Sequence, residues 1–245
     1  MAHTPLLLVP GLMCDHAVWD PVMPALARHA QPYVVDHGNE DNLTRMAERL
    51  LAQAPAQFAL AGHSMGGRVA LEVLRLAPQR VLRLALLDTG YFSRSGGLAG
   101  EEEARKRHAL LELARTRGVR AMAQAWVQGM VHPGRLNDTK LIADIIDMFE
   151  RKSADIFARQ IRALLDRPNA TPVLQSVAMP TLVLCGRQDS WAPVEQHQEI
   201  AALIPDGHAS LEIVEQSGHM SPMEQPDVVA EALRAWLTAS SRQPA

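Results

Sequence analysis

Gly62-His63-Ser64-Met65-Gly66-Gly67 follows an apolar run, Phe58–Ala61, and opens an apolar-periodic stretch, Met65 to Ala77. This is G-x-S-x-G between a strand and a helix, the setting in which a sharp turn lifts a serine hydroxyl above a sheet edge. The turn strains the serine, so residues two away on either side must be small, and Gly62 and Gly66 are. A hydroxyl needs a base to take its proton, and a histidine does this best when a carboxylate orients it. For an elbow of this kind the chain order is serine, acid, histidine. Two loops supply the partners in that order. Gly186-Arg187-Gln188-Asp189 follows the run Thr181–Cys185, and Ser217-Gly218-His219 follows Leu211–Val214. The chemistry these residues propose is acyl transfer, with Ser64 as nucleophile, His219 as base and Asp189 as its orienting acid.

Other readings of the same segments fail. The elbow has phosphate-loop glycine spacing, but Arg68-Val69 stand where Lys and Ser/Thr are required, and G-x-G-x-x-G is missing. No H-E-x-x-H and no Cys/His cluster occurs, so neither metal nor cofactor is expected. Asp88, ending the run Leu82–Leu87, is the rival acid; the loop order favours Asp189. Asp36 precedes Ser64 and fails the order. Among 10 histidines, His219 stands on a glycine-led loop after a late strand, while His63 abuts the nucleophile and reads as pocket or packing. The oxyanion needs two backbone donors: Met65, directly after the nucleophile, and Leu12, in the loop Pro10-Gly11-Leu12-Met13 after the first strand. Met13, His63, Trp126, Met130, Phe149, Trp191 and Met220 are candidate pocket residues that read equally well as core.

These residues need a sheet to carry them. Short apolar runs at Leu6–Val9, Tyr33–Val35, Phe58–Ala61, Leu82–Leu87, Thr181–Cys185 and Leu211–Val214 read as strands covered on both faces. Helical patterns lie between them, among them Leu43 to Ala54 and a last helix with Asp227 as its expected N-cap. The alternation predicts a parallel α/β sheet. It breaks between Gly90 and Pro180, where about four helices are expected, with Asn137-Asp138 capping the third. The expected organisation is a core of residues 1–90 and 180–245 with a helical lid at 91–179, because insertions at the carboxyl ends of parallel strands sit beside the site.

Bulk properties set limits. In 245 residues, 47% are hydrophobic and 21% charged, enough for a large core. A net charge of −3 argues against nucleic acid or an anionic membrane as partner. Two cysteines, Cys14 and Cys185, read as free thiols of a cytoplasmic protein. The N-terminus has no basic segment ahead of an apolar one, so no signal peptide is expected, and the tail Ser240–Ala245 is expected to fray.

Pro10-Gly11-Leu12, the elbow, Leu86-Leu87-Asp88-Thr89, Leu184-Cys185-Gly186-Arg187-Gln188-Asp189 and Gly218-His219-Met220 together resemble the α/β-hydrolase superfamily over nearly the whole chain. Small carboxylesterases, 3-oxoadipate enol-lactone hydrolases and pimeloyl methyl ester esterases are the most similar in pattern. The resemblance implies the same triad and oxyanion donors. Three departures are visible. Pro10 stands where many members carry histidine, His37-Gly38-Asn39 is a reduced glycine-rich stretch, and the first run has no antiparallel strands before it. The last predicts a shortened, mostly parallel sheet. The expected activity is hydrolysis of a carboxylic ester of a small or hydrophobic acyl group, taken from a small-molecule substrate. Lactone, thioester and C–C bond hydrolysis use the same triad, and a slow-turnover ligand sensor is the reading from outside enzymology.

Overall fold

The structure, a computed structural model, describes residues 3–239, so the tail expected to fray lies outside the described residues. Six strands form one sheet: β1 (Thr4–Val9), β2 (Ala30–Val34), β3 (Phe58–His63), β4 (Val81–Leu87), β5 (Thr181–Gly186) and β6 (Ala209–Val214). The spatial order is β2-β1-β3-β4-β5-β6 and every pairing is parallel. The expected mostly parallel sheet is wholly parallel among the described residues. The chain runs outward from β1 to β2, then returns to place β3 on the other flank of β1. Loops after β1 and β3 therefore diverge, opening a crevice at their carboxyl ends.

Burial follows position. The inner strands β3 (FALAGH) and β5 (TLVLCG) are buried at every residue, whereas the edge strands β2 and β6 alternate between covered and exposed residues. Two covered faces therefore hold for the inner strands only. β2 accepts Pro32 because an edge strand has one side free of ladder bonds.

The helices are α1 (Met23–Leu26), α2 (Leu43–Gln53), α3 (Met65–Leu76), α4 (Gly97–Arg117), α5 (Val119–Trp126), α6 (Thr139–Glu150), α7 (Ala154–Leu165), α8 (Thr171–Leu174), α9 (Val194–Leu203), α10 (Ser221–Glu224) and α11 (Pro226–Thr238). Caps explain several starts: Asn42 accepts from Thr44 and Arg45 N–H, Asp138 from Leu141, and Ser153 from Ile156. The expected cap Asp227 is corrected. It lies inside the first turn of α11, which opens on Pro226, a residue with no N–H to satisfy. Helices α4 to α8 all fall between β4 and β5. One continuous core joins both parts, from Leu8 and Leu60 in the sheet to Phe149 and Phe157 in this helical segment.

Candidate active site

Ser64 stands between β3 and α3 with φ 55° and ψ −118°, in the left-handed region that a side chain enters only when its surroundings hold it there. The surroundings do. Ser64 N–H donates to Leu87 O at 2.9 Å, and Thr89 Oγ1 donates to Ser64 O at 2.6 Å. A Cβ on Gly62 would come 2.4 Å from Gly66 O, and one on Gly66 would come 2.1 Å from Val9 O. Only glycine permits this crossing of strand, turn and helix.

His219 Nε2 lies 2.8 Å from Ser64 Oγ, and His219 Nδ1 lies 2.7 Å from Asp189 Oδ2. A carboxylate only accepts, so Nδ1 carries the proton and Nε2 is left bare to receive one from Ser64. Asp189 Oδ1 accepts from Trp191 N–H at 2.9 Å and Ala192 N–H at 3.0 Å, which fixes the carboxylate. Burial opposes charge on His219, but the charge and hydrogen bond of Asp189, helped by Asp88 and Glu224, raise its pKa above the ordinary 6.5. Burial likewise opposes charge on Asp189, yet His219 and the two backbone donors hold it below its ordinary range.

The histidine loop is clamped. Buried Glu224 accepts from Gly218 N–H and Met220 N–H through Oε1, at 2.9 and 3.1 Å, and from His132 N–H through Oε2 at 2.6 Å. His219 N–H donates to Met130 O at 2.7 Å, tying the loop to the segment between α5 and α6. His63 Nε2 donates to His219 O at 2.8 Å, so its part is to hold the backbone of His219. Burial, then the nearby His219, push His63 down to about 3, which keeps it neutral.

Asp88 does not reach His219 Nδ1. Its Oδ1 accepts from Gly186 N–H at 2.9 Å and its Oδ2 from Ser221 Oγ at 2.5 Å, joining the end of β5 to α10. Burial, then repulsion from Asp189, drive its pKa well up.

Leu12 and Met65 both line the cavity over Ser64, and among the described residues neither N–H meets an acceptor. Gly11 lies against Ser64, where a Cβ would sit 3.1 Å from Ser64 Cβ. Met13 is corrected: it is fully buried in the core and does not line the cavity. Its φ of 64° turns it away, and its N–H donates to Gln160 Oε1 on α7 at 2.8 Å. Gln160 was not foreseen, and with the partners 147 positions apart no local pattern points to it.

The cavity has a volume of about 600 Å³. His63, Trp126, Met130, Phe149, Trp191 and Met220 line it, and so does Phe157. Trp126 stacks on Trp191, centroids 5.5 Å apart and planes within 19°, and Trp191 tilts over His219 at 4.9 Å. Arg68, Lys106, Arg107 and Arg167 also line it and were missed. Arg68 had a signal, since it stands four residues after Ser64 on one helix face.

Cys14 and Cys185 are buried free thiols. Burial pushes both up, Cys185 to about 12, so neither is a nucleophile. Among the described residues no group of three or more His, Cys, Asp or Glu is placed to hold a metal ion. No helix there is long and apolar enough to cross a membrane.

A family model described as "Alpha/beta hydrolase family" matches residues 6–232. The dihydrolipoyllysine-residue acetyltransferase component of the acetoin cleaving system of Pseudomonas putida is 29% identical over 250 residues, 96% of this chain and 63% of that protein. This chain therefore spans under two thirds of that relative. A pimeloyl-(acyl-carrier protein) methyl ester esterase of Aliivibrio salmonicida is 24% identical over 241 residues, 95% of this chain and 91% of that one. Among solved structures, a thermophilic esterase from Thermogutta terrifontis, with malate bound, superposes with a TM-score of 0.83 at 26% identity, covering 96% of this chain and 90% of that one.

Proposed function

The chain belongs to the α/β hydrolase family, and we propose that it is a carboxylic ester hydrolase acting through an acyl-enzyme on Ser64. The observation that carries this reading is the unbroken relay from Ser64 Oγ to His219 Nε2 at 2.8 Å and from His219 Nδ1 to Asp189 Oδ2 at 2.7 Å, built on a serine with left-handed φ. Ser64 Oγ attacks the ester carbonyl while His219 Nε2 takes its proton. Asp189 holds the tautomer and stabilises the imidazolium. Leu12 and Met65 N–H receive the oxyanion, with Met65 heading α3, whose first-turn donors lack partners within the helix. The imidazolium protonates the leaving alcohol, and water activated by His219 then frees the acid.

Residues 91–179 act as a lid on a core of 1–90 and 180–245. Support comes from Trp126, Phe149 and Phe157, which wall the cavity from α5, α6 and α7, and from the Met130 carbonyl that holds His219. Aromatic walls favour a small or hydrophobic acyl group. Each methylene buried against them is worth ~0.8 kcal/mol, about fourfold in kcat/KM. Two free buried thiols support a reducing, cytoplasmic setting.

The test is steady-state hydrolysis of p-nitrophenyl esters. Ser64→Ala is expected to lower kcat by at least ~10³-fold, and a fluorophosphonate probe to label the parent protein but not the variant. Unchanged turnover in Ser64→Ala overturns the assignment, and a single turnover per molecule would make the protein a sensor instead.

A further inference from the structure

The cavity has a second end, away from His219. Arg68 lies one helical turn after Ser64 on α3, ~6 Å along the axis. Lys106 and Arg107 reach the cavity from α4, and Arg167 from the turn beyond α7. Three guanidiniums meet here in a chain whose net charge is −3, so the concentration is local, while the Lys106 ammonium is largely in solvent and pairs with Glu102 at 3.6 Å. Glu103 is the carboxylate among them; Asp88 also lines the cavity, but is committed to Ser221 and Gly186.

Glu103 is already divided between two guanidiniums, accepting from Arg167 Nη1 and Nη2 at 2.8 Å each and pairing with Arg107 at 2.9 Å. Arg68 has only a carbonyl: Nη1 donates to Phe92 O at 2.9 Å, which Arg167 Nε shares at 3.2 Å. Among the described residues no carboxylate pairs with Arg68. Its guanidinium is nonetheless seated. A Cβ on Gly90 would come 2.7 Å from Arg68 Nη2 and 2.7 Å from Gln196 Oε1, so the bare glycine makes room for this pair. Burial, then Arg167 and Arg107, push Arg68 down to about 9, leaving it charged at neutral pH.

Arg68 is half-buried, and a cation partly withdrawn from water with no anion beside it is poised to take one, because desolvation without a partner is costly. Here the unmatched charge faces the cavity that holds the nucleophile, and a guanidinium fork fits two oxygens of one oxyanion group.

We propose that the arginine end of this cavity is a specificity subsite for an anionic oxygen group, carboxylate or phosphate, carried by the ester substrate at a distance from the scissile bond, with Arg68 as its principal ligand. This rests on the ester hydrolase reading and adds the substrate class to it.

The test compares kcat/KM across three matched series. Monomethyl esters of medium-chain dicarboxylic acids carry a carboxylate on the acyl side, O-acetyl ω-hydroxy acids carry it on the alcohol side, and ω-phosphono acid methyl esters carry a phosphonate. Each is set against its uncharged, methyl-terminated isostere. At least one anionic series is expected to exceed its isostere by about tenfold or more, mainly through KM, and to lose part of that advantage at high salt. The preferred series identifies the group and the side. Arg68→Gln is expected to cut the anionic-to-neutral ratio by at least about fivefold, and Arg68→Lys to retain more of it.

Ser64-dependent hydrolysis of the neutral esters with no anionic preference, or a ratio unchanged in Arg68→Gln, overturns the subsite and leaves the hydrolase reading standing. If no ester in any series is turned over, the hydrolase reading fails. Calorimetry with free dicarboxylic and ω-phosphono acids then decides the subsite alone: tighter binding than monocarboxylic acids, weakened in Arg68→Gln, upholds it, and equal binding ends it.

Discussion

The two ends of one cavity are built on opposite principles. At the triad end the side chains proposed to carry the chemistry are partnered: Ser64 with His219, His219 with Asp189, and Asp189 with two backbone donors. The negative and positive charges that develop during turnover have their partners in place beforehand. At the arginine end, the carboxylate of Glu103 is shared by Arg107 and Arg167, Lys106 pairs with Glu102, and Arg68 rests against a carbonyl. The first end is preorganised for a reaction, which needs fixed dipoles that cost nothing to reorient. The second is left incomplete, as a site is when a ligand supplies the missing charge. Rigid chemistry and ligand-completed selectivity can coexist because strand ends hold one and helices of the inserted segment contribute most of the other.

The sharpest way to break this comparison is at the triad acid. Asp189→Asn is expected to lower kcat about 10³- to 10⁴-fold, since an amide in its place can present an N–H to Nδ1 and favour the wrong tautomer. Asp88→Asn, by contrast, is expected to cost about tenfold or less, because Asp88 touches Ser221 and Gly186 rather than the imidazole. Equal losses in the two variants would erase the distinction between the acids.

A pH profile sharpens it further. His219 must be neutral to accept the Ser64 proton, and its pKa is raised above 6.5. Below that raised pKa the imidazolium dominates, so kcat/KM should fall about tenfold per unit as pH drops, with a midpoint above 6.5. Asp189→Asn removes the charge that raises it and leaves burial dominant, so residual activity should show a midpoint moved lower. A limb at or below 6.5 in the parent protein contradicts the Asp189–His219 coupling.

Smaller effects test the supports. Gln160→Ala takes the acceptor from Met13 N–H and loosens the loop that carries Leu12. The expected loss is about tenfold in kcat with KM little changed, because the oxyanion forms only after binding. A loss confined to KM would assign Gln160 to substrate contact instead. Smallest of all, Lys106→Ala should change kcat/KM for a neutral ester by less than about twofold, since its ammonium is largely in solvent.

Much of the geometry that joins Ser64, His219 and Asp189 was legible in the chain. Gly62 and Gly66 bracket Ser64 because backbone passes within contact of both, and the elbow's needs are met by adjacent residues. Asp189 and His219 each follow a buried strand, so their positions on the rim could be read from hydrophobic patterning. Boundaries were read less well at the sheet edges: β2 and β6 begin earlier than their apolar runs because Gln31 and Ser210 pair through backbone groups that side-chain pattern does not report. Met13 was misplaced because one left-handed φ redirects its side chain, and Asp227 because Pro226 had already opened the helix.

By itself, then, the sequence determined the alternation of elements, the strained serine and the order of its partners, all of which depend on neighbours along the chain. Tertiary structure alone decided that Gln160 reaches the Leu12 loop, and that Arg68, Arg107 and Arg167 converge with one carboxylate between them. Those outcomes depend on where helices from separate stretches come to rest against one sheet, and charge balance in a cavity is a sum over groups that share no local pattern.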